Sequence, residues 1–281
     1  MEPGSEVIIL DISINVEETS TIIIDFIKTY VQNSGCKRVV LGLSGGIDSS
    51  VAAVLCKEAV GEKNVLCLFM PDDVTPSDDR KHQEILLKKF DLQSKTIDIG
   101  PILQQIQKAC FENPGKISFS NIKARTRMIL LYSYANETNS LVCGTSNKSE
   151  MLIGYFTKYG DGGNDFQPLG DLYKTQIFQL ARYLKIPKPL ISKPPSAGLW
   201  RGQTDEKELG MSYENLDKIL YGLEQRLDVD EIQQIADVTK SDVDRIRQMI
   251  KKSQHKRRTP LIPKQGVRTS GIDWRVPVQE G

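Results

Sequence analysis

Ser44-Gly45-Gly46-Ile47-Asp48-Ser49 puts two glycines, two hydroxyls and a carboxylate side by side. Glycine takes positive φ at no steric cost, so the backbone can curl tightly here. If a helix starts at this turn, its free N–H groups converge with the Ser44 and Ser49 hydroxyls on one point. Such a cradle binds phosphate, and the helix dipole adds about 0.3–2 kcal/mol for an anion. The Walker A spacing G-x-x-x-x-G-K-[ST] is absent, and Gly42 and Gly45 do not fit G-x-G-x-x-G. A carboxylate, Asp48, stands inside the cradle instead, where a bare acid repels phosphate. Asp48 makes sense as a holder of Mg²⁺ that bridges to the phosphate. The plainer alternative is a tight turn with Asp48 as a favourable first-turn acid.

That chemistry needs a strand before the segment and a helix after it. Lys37 to Leu43 reads as the strand, and Ile47 to Val60 as the helix, closed by Gly61. Further strands are expected over Val65 to Met70, Ser94 to Ile99 and Ser140 to Cys143. Helices are expected over Val16 to Val31, from Asp79 through Phe90, near Pro101 to Phe111 and over Asn121 to Glu137. This alternation predicts an α/β fold, a doubly wound parallel sheet flanked by helices. Ligands bind beyond the carboxyl ends of such strands, where Ser44 to Ser49 and Gly144 to Glu150 both emerge. After Glu150 the pattern is helical, over Tyr173 to Leu184, Ser212 to Leu223, Asp228 to Ala236 and Ser241 to Lys252. The loop Gly154 to Gly170 is rich in Gly, Asp and aromatics. The Pro- and Gly-rich stretch Pro187 to Gly210 and the polar stretch Asp72 to Asp79 read as mobile, the former as a lid. The expected division is one domain over 1–260 and a C-terminal tail over 261–281.

The 281 residues are 39% hydrophobic, enough for a sizeable core. A net charge of +1 leaves no global field for nucleic acid or an anionic membrane, so an anionic substrate must be met by local charge. No run approaches ~18 apolar residues, and Met1 to Leu10 lack the pattern of a signal peptide. A cytoplasmic location is expected. The five cysteines (Cys36, Cys56, Cys67, Cys110, Cys143) include no C-x-x-C and read as reduced thiols, mostly buried.

Ser44 to Ser49 matches the S-G-G-x-D-S signature of the PP-loop ATP-pyrophosphatases. Further segments, in the same order, resemble the NAD synthetase family. They are Lys123-Ala124-Arg125-Thr126-Arg127-Met128, Gly144-Thr145-Ser146-Asn147-Lys148-Ser149-Glu150, the run Gly154 to Gly162, Pro168 to Lys174, Lys193-Pro194-Pro195-Ser196-Ala197 and His255-Lys256-Arg257. The resemblance covers Val16 to Pro260. It implies a Rossmann-like, adenine nucleotide alpha hydrolase-like fold that cleaves ATP between the α and β phosphates and amidates deamido-NAD. By position it implies that Gly42, Leu43, Ser44, Gly45, Gly46, Ile47, Asp48 and Ser49 form the ATP phosphate loop. Asp48 and Glu150 match the two Mg²⁺ acids, Thr145 and Ser196 match ATP contacts, and Lys174 matches a phosphate-binding lysine. Arg125, Lys158, Asp165, His255 and Lys256 match positions that bind deamido-NAD. Ser196 stands where Thr is common, and Gly198 where an Asp is expected. The resemblance also implies a homodimer with the dinucleotide near the interface, helix 121–137 being an interface element.

The chemistry also follows from first principles. A carboxylate does not condense with ammonia in water because hydroxide leaves poorly. Transfer of AMP makes a mixed anhydride with a good leaving group. Mg²⁺ on Asp48 and Glu150 would offset the charge on the departing phosphates, and Lys174 would add ~1.5–3 kcal/mol. Asp48, Lys174 and Asp161 are therefore the expected catalytic residues, Asp161 orienting or deprotonating ammonium. Taken singly, each residue has a duller explanation: Arg125 and Lys174 as solvated charges, Glu150 as a first-turn acid, Lys158 and Asp161 as turn chemistry, His255 as part of a basic tail. Glutamine-using members carry an amidase domain, and residues 1–15 leave no room for the roughly 50 residues a domain needs. Free ammonia is the expected nitrogen source, with delivery by a separate glutaminase subunit left open. The rivals are a GMP synthetase-like amidase, a tRNA-thiolating enzyme and a non-catalytic nucleotide sensor. Thiolation calls for paired cysteines and a basic face, and a sensor for loss of the metal acids or the lysine.

Overall fold

The computed structural model describes residues 11–110 and 114–269. Four strands, β1 (Arg38–Gly42), β2 (Val65–Phe69), β3 (Gln93–Thr96) and β4 (Ser140–Cys143), form one parallel sheet in the order β3-β2-β1-β4. Leu41 lies opposite Cys67 on one side and Cys143 on the other. The chain winds outward from β1 to β3, then returns to place β4 on the far side of β1. The winding reverses between β1 and β4, which is where a crevice opens in such sheets.

The helices are α1 (Val16–Asn33), α2 (Ile47–Val60), α3 (Ser77–Phe90), α4 (Gly100–Cys110), α5 (Lys116–Thr138), α6 (Lys148–Ile153), α7 (Lys174–Tyr183), α8 (Lys188–Ile191), α9 (Asp205–Leu209), α10 (Tyr213–Glu224), α11 (Val229–Ala236) and α12 (Lys240–Lys252). β-branched and aliphatic side chains alternate across β1. Val39 and Leu41 join a core with α1, α2 and α7, while Val40 joins one with α4 and α5. Both faces are covered, as a parallel sheet requires. α2 is buried along most of its length from Ile47 to Cys56, so the helix that follows the Ser-Gly-Gly turn is the central helix of its layer. β3 is the polar, exposed edge. A third core, including Ile153, Leu216, Ile219, Ile232 and Ile246, joins α6, α10, α11 and α12 into a helical layer.

Three features differ from the sequence expectation. α6 was not expected. Its start is set by a capping box in which the Asn147 side chain accepts from Glu150 N–H and Glu150 reaches back to Asn147 N–H. The stretch Pro187 to Gly210 contains two short helices, α8 and α9. The third strand ends at Thr96, although Ile97 N–H still donates to Phe69. Phe111, at the expected end of α4, lies outside the described residues, as do Met1–Leu10 and 270–281 of the expected tail. Cys56, Cys67 and Cys143 are buried, Cys36 is half-buried and Cys110 is exposed, all as free thiols. Among the described residues no helix is long and apolar enough to cross a membrane.

Candidate active site

The turn after β1 is held by its own serines. Ser49 Oγ accepts from Ser44 N–H at 3.2 Å and lies 3.1 Å from Ser44 Oγ, which accepts from Gly46 N–H at 3.2 Å. Gly46 is the N-cap of α2 and supplies no side-chain cap, which leaves the positive helix end for a ligand. Gly45 has φ 75°, and a Cβ there would lie 2.7 Å from the Asp79 carbonyl oxygen. Gly45→Ala is therefore expected to lose roughly 1–3 kcal/mol of stability from backbone strain alone. It should also weaken ATP binding as α3 is pushed away. Denaturant melts and equilibrium dialysis of ATP check this, and parent-like values for both would show that the turn tolerates a side chain.

Asp48, in the first turn of α2, meets α6 and α7 at one point. Lys174 Nζ donates to Asp48 Oδ2 at 2.5 Å and to Glu150 Oε1 at 3.4 Å. Asn147 Nδ2 donates to Asp48 Oδ1 at 3.0 Å. The Lys174 side chain is 2% exposed, and the Tyr213 ring centroid is 5.1 Å from its ammonium. Burial works against the lysine's charge, yet Asp48 and Glu150 outweigh it and raise the pKa. Burial pushes the Glu150 carboxyl up to about 8, with Lys174 pulling down and Asp48 and Asp205 pushing further up. Asp205, buried on α9, is likewise raised by burial, against the pull of Lys174.

Three acids thus share one lysine, and burial pushes Glu150 and Asp205 toward the protonated form; a divalent cation would restore their charge. The donors are hard carboxylate oxygens, the type Mg²⁺ prefers. Among the described residues no group of three or more His, Cys, Asp or Glu is arranged to hold a metal. Asp48 and Glu150 fit Mg²⁺ if phosphate and water complete the shell, its usual habit in nucleotide sites.

These residues border a cavity of about 430 Å³ at the β1/β4 switch point. Gly42, Leu43, Ser44, Gly46, Ile47, Asp48, Ser49, Thr145, Glu150, Asp161, Lys174, Ser196 and Lys256 all line it. Asp161 turns its exposed surface to the cavity and accepts from Thr157 N–H at 2.9 Å. Withdrawal from bulk water raises its pKa, partly offset by the Thr157 N–H bond and by Lys256 and Arg127. Lys256 Nζ donates to the carbonyls of Gly154 and Phe156, each at 2.7 Å. Across the mouth, Lys123 Nζ donates to Leu199 C=O at 3.1 Å, Lys116 lies 3.7 Å from the Trp200 ring centroid and Lys193 pairs with Asp79 at 2.5 Å. The expected lid is thus tied over the cleft from both sides.

Four of the expected dinucleotide contacts do not line the cavity. Arg125 donates to the Lys158 carbonyl from Nε and Nη2 at 3.3 and 3.2 Å, and Lys158 Nζ donates to the His255 carbonyl at 2.8 Å. Arg125, Lys158 and His255 therefore form a cluster of their own. Asp165 accepts from Tyr132 O–H at 2.9 Å and Val142 N–H at 2.7 Å, tying α5 to β4, though each oxygen can take a further donor. Sequence reasoning did not single out Asn147, Asp205, Asp79 or Lys193 as site residues. Asn147 and Lys193 lie inside quoted segments, and Asp205 carried no signal.

A parallel sheet with a serine–glycine phosphate loop, paired acids and a buried lysine at its switch point defines a nucleotide-binding α/β protein of the PP-loop type. The family model described as NAD synthase matches residues 19–260, and the chain belongs to that family. It is 49% identical over 257 residues to the NH(3)-dependent NAD(+) synthetase of Sulfolobus acidocaldarius, covering 90% of this chain and 91% of the relative. Among solved structures it is similar to the NH3-dependent NAD synthetase of Campylobacter jejuni (TM-score 0.77, 37% identity, 89% of this chain and 100% of that one). It is also similar to the NMN synthetase of Francisella tularensis (TM-score 0.81, 34% identity, 90% and 100%).

Proposed function

We propose that this chain amidates deamido-NAD. ATP adenylates the nicotinate carboxylate, ammonia displaces AMP, and NAD, AMP and pyrophosphate leave. The observation that carries the reading is the Lys174 ammonium in contact with both Asp48 and Glu150 beside the phosphate loop of an NAD synthase chain. Gly42 to Ser49 hold the triphosphate, with Thr145 and Ser196 offering hydroxyls to ATP. Asp48 and Glu150 are the residues that would hold Mg²⁺, which when bound would supply Lewis-acid withdrawal of charge from the outer phosphates. Lys174 offsets the charge that builds on pyrophosphate as it departs. Lys256 meets deamido-NAD at the cavity, and Arg125, Lys158, Asp165 and His255, which lie off the cavity, meet it where the dinucleotide runs on toward the dimer interface, Arg125 and Lys158 against its own phosphates. The tied lid excludes water, which would otherwise hydrolyse the acyl adenylate.

Asp161 takes up the ammonium side of the reaction. Its carboxylate lines the cavity, where it can accept a proton from ammonium. Asp161→Asn is expected to cut amide formation about 10²-fold while leaving the first turnover of pyrophosphate intact. Unchanged kcat and unchanged ammonium dependence would remove Asp161 from this role.

We read the protein as a cytoplasmic homodimer, one domain over 1–260 with a tail over 261–281. Ile129 on α5 is exposed, as is Tyr159 next to Lys158, and both would be open to a partner copy. The likeness to an NMN synthetase favours a second reading, in which the acid is the mononucleotide counterpart. Offering deamido-NAD, that mononucleotide, XMP and tRNA separately, with ATP, Mg²⁺ and either ammonium or glutamine, decides among them. Deamido-NAD with ammonium is expected to give the fastest release of AMP and pyrophosphate. Faster turnover of any other acceptor would overturn the assignment.

A further inference from the structure

We propose that Asp217, on α10 outside the cavity, is a positioning residue that aims Lys174 at the departing phosphates; the inference rests on the function proposed above. α7 opens directly at Lys174, and the Tyr173 hydroxyl just before it is engaged elsewhere, donating to Glu224. The first two amides of α7 find their acceptors far away in the chain. Lys174 N–H donates to Ser149 Oγ at 2.9 Å, and Thr175 N–H donates to Asp217 Oδ2 at 2.8 Å. Ser149 Oγ in turn donates to Asp217 Oδ1 at 2.5 Å. One carboxylate therefore caps α7 twice, once directly and once through Ser149.

The arrangement is built rather than incidental. Asp217 is 0% exposed, and burying a carboxylate is costly unless donors and positive charge surround it. Here the N-terminus of α7 supplies both. Ser149 is the neighbour of Glu150 in α6, so the same carboxylate ties the helix carrying the acid to the helix carrying the lysine. Tyr213, one turn before Asp217 on α10, places its ring 5.1 Å from the Lys174 ammonium. α10 thus holds Lys174 at both ends, the backbone amide through Ser149 and Asp217 and the ammonium through Tyr213. A rotation of the first turn of α7 would carry Nζ away from Asp48 and Glu150, and small misplacements of a charged group cost much of its effect.

Asp217→Asn keeps the size of the side chain but turns an NH2 group toward a donor. In the full chain it is expected to lower kcat for pyrophosphate release about 10–10²-fold, with KM for ATP held within about threefold. In a Lys174→Met background the same change is expected to add less than about twofold, because a residue acting through Lys174 has nothing left to aim. Ser149→Ala carries the same two readouts should Asp217→Asn fail to fold. A parent-like kcat, or an equal fold-loss in both backgrounds, overturns the inference and leaves Asp217 a stability residue. If the parent itself releases no pyrophosphate, the functional reading fails and this inference fails with it.

Discussion

Lys174→Met is expected to slow pyrophosphate release about 10²–10³-fold, the usual cost of removing one charge stabiliser from a shielded site. Methionine fills much of the lysine's volume, so the loss is one of charge. Without the ammonium, Asp48 faces Glu150 with Asp205 close behind, and no lysine offsets them. Breaking a buried pair from one side costs about 3–5 kcal/mol, less where the acids open on a cavity as here. The metal-free variant should therefore melt well below the parent, and Mg²⁺ should raise its melting temperature more than it raises the parent's. Rapid-quench assays and paired melts measure both. A rate within about twofold of the parent would take Lys174 out of the reaction.

Glu150→Gln is expected to leave ATP binding within a few-fold and to lower adenylation about 10²-fold, since the charge matters most as pyrophosphate departs. Glutamine can keep the reach-back to Asn147 N–H that starts α6, so the fold should hold. A pH signature separates the charge from the shape. The Glu150 pKa is raised by burial to about 8, above the ordinary glutamate value of about 4.5. The folded chain then holds this proton more tightly than the unfolded chain. Its contribution is fully present below pH of about 4.5 and is lost as pH rises through about 8. Metal-free parent protein should lose stability across that window, and Glu150→Gln should flatten the slope. Parallel melting curves for the two proteins would contradict a buried, charge-starved Glu150.

Much of this site could be read before any geometry, for a local reason. Between β1 and α2 the cradle is built from consecutive residues, so strand, turn and helix signals coincide in one short window. Glu150 and Lys174 were singled out from segments that keep their order along the chain, and the structure brings both to Asp48. What escaped was long-range or mutual. Asp205 sits in a stretch that reads as a polar lid, where nothing marks a helix, and Asp217 sits in a helix that reads only as amphipathic, with partners far off in the chain. Lys193 was visible, yet its pairing with Asp79 exists only once the lid crosses the cleft. α6 was hidden by its shortness, although the Asn147–Glu150 spacing was its signature. The polar Gln93–Thr96 strand was misjudged in length because an exposed edge carries no apolar alternation.

In the proposed reaction a carboxylate oxygen attacks the α-phosphorus before ammonia attacks the carbonyl. Deamido-NAD labelled with ¹⁸O in its carboxylate, turned over with ATP, Mg²⁺ and ammonium, tests that order of bonds by mass spectrometry of the products. The expected result is label in AMP, one oxygen per turnover, with pyrophosphate unlabelled. Label in inorganic phosphate beside ADP, or AMP free of label, would contradict it.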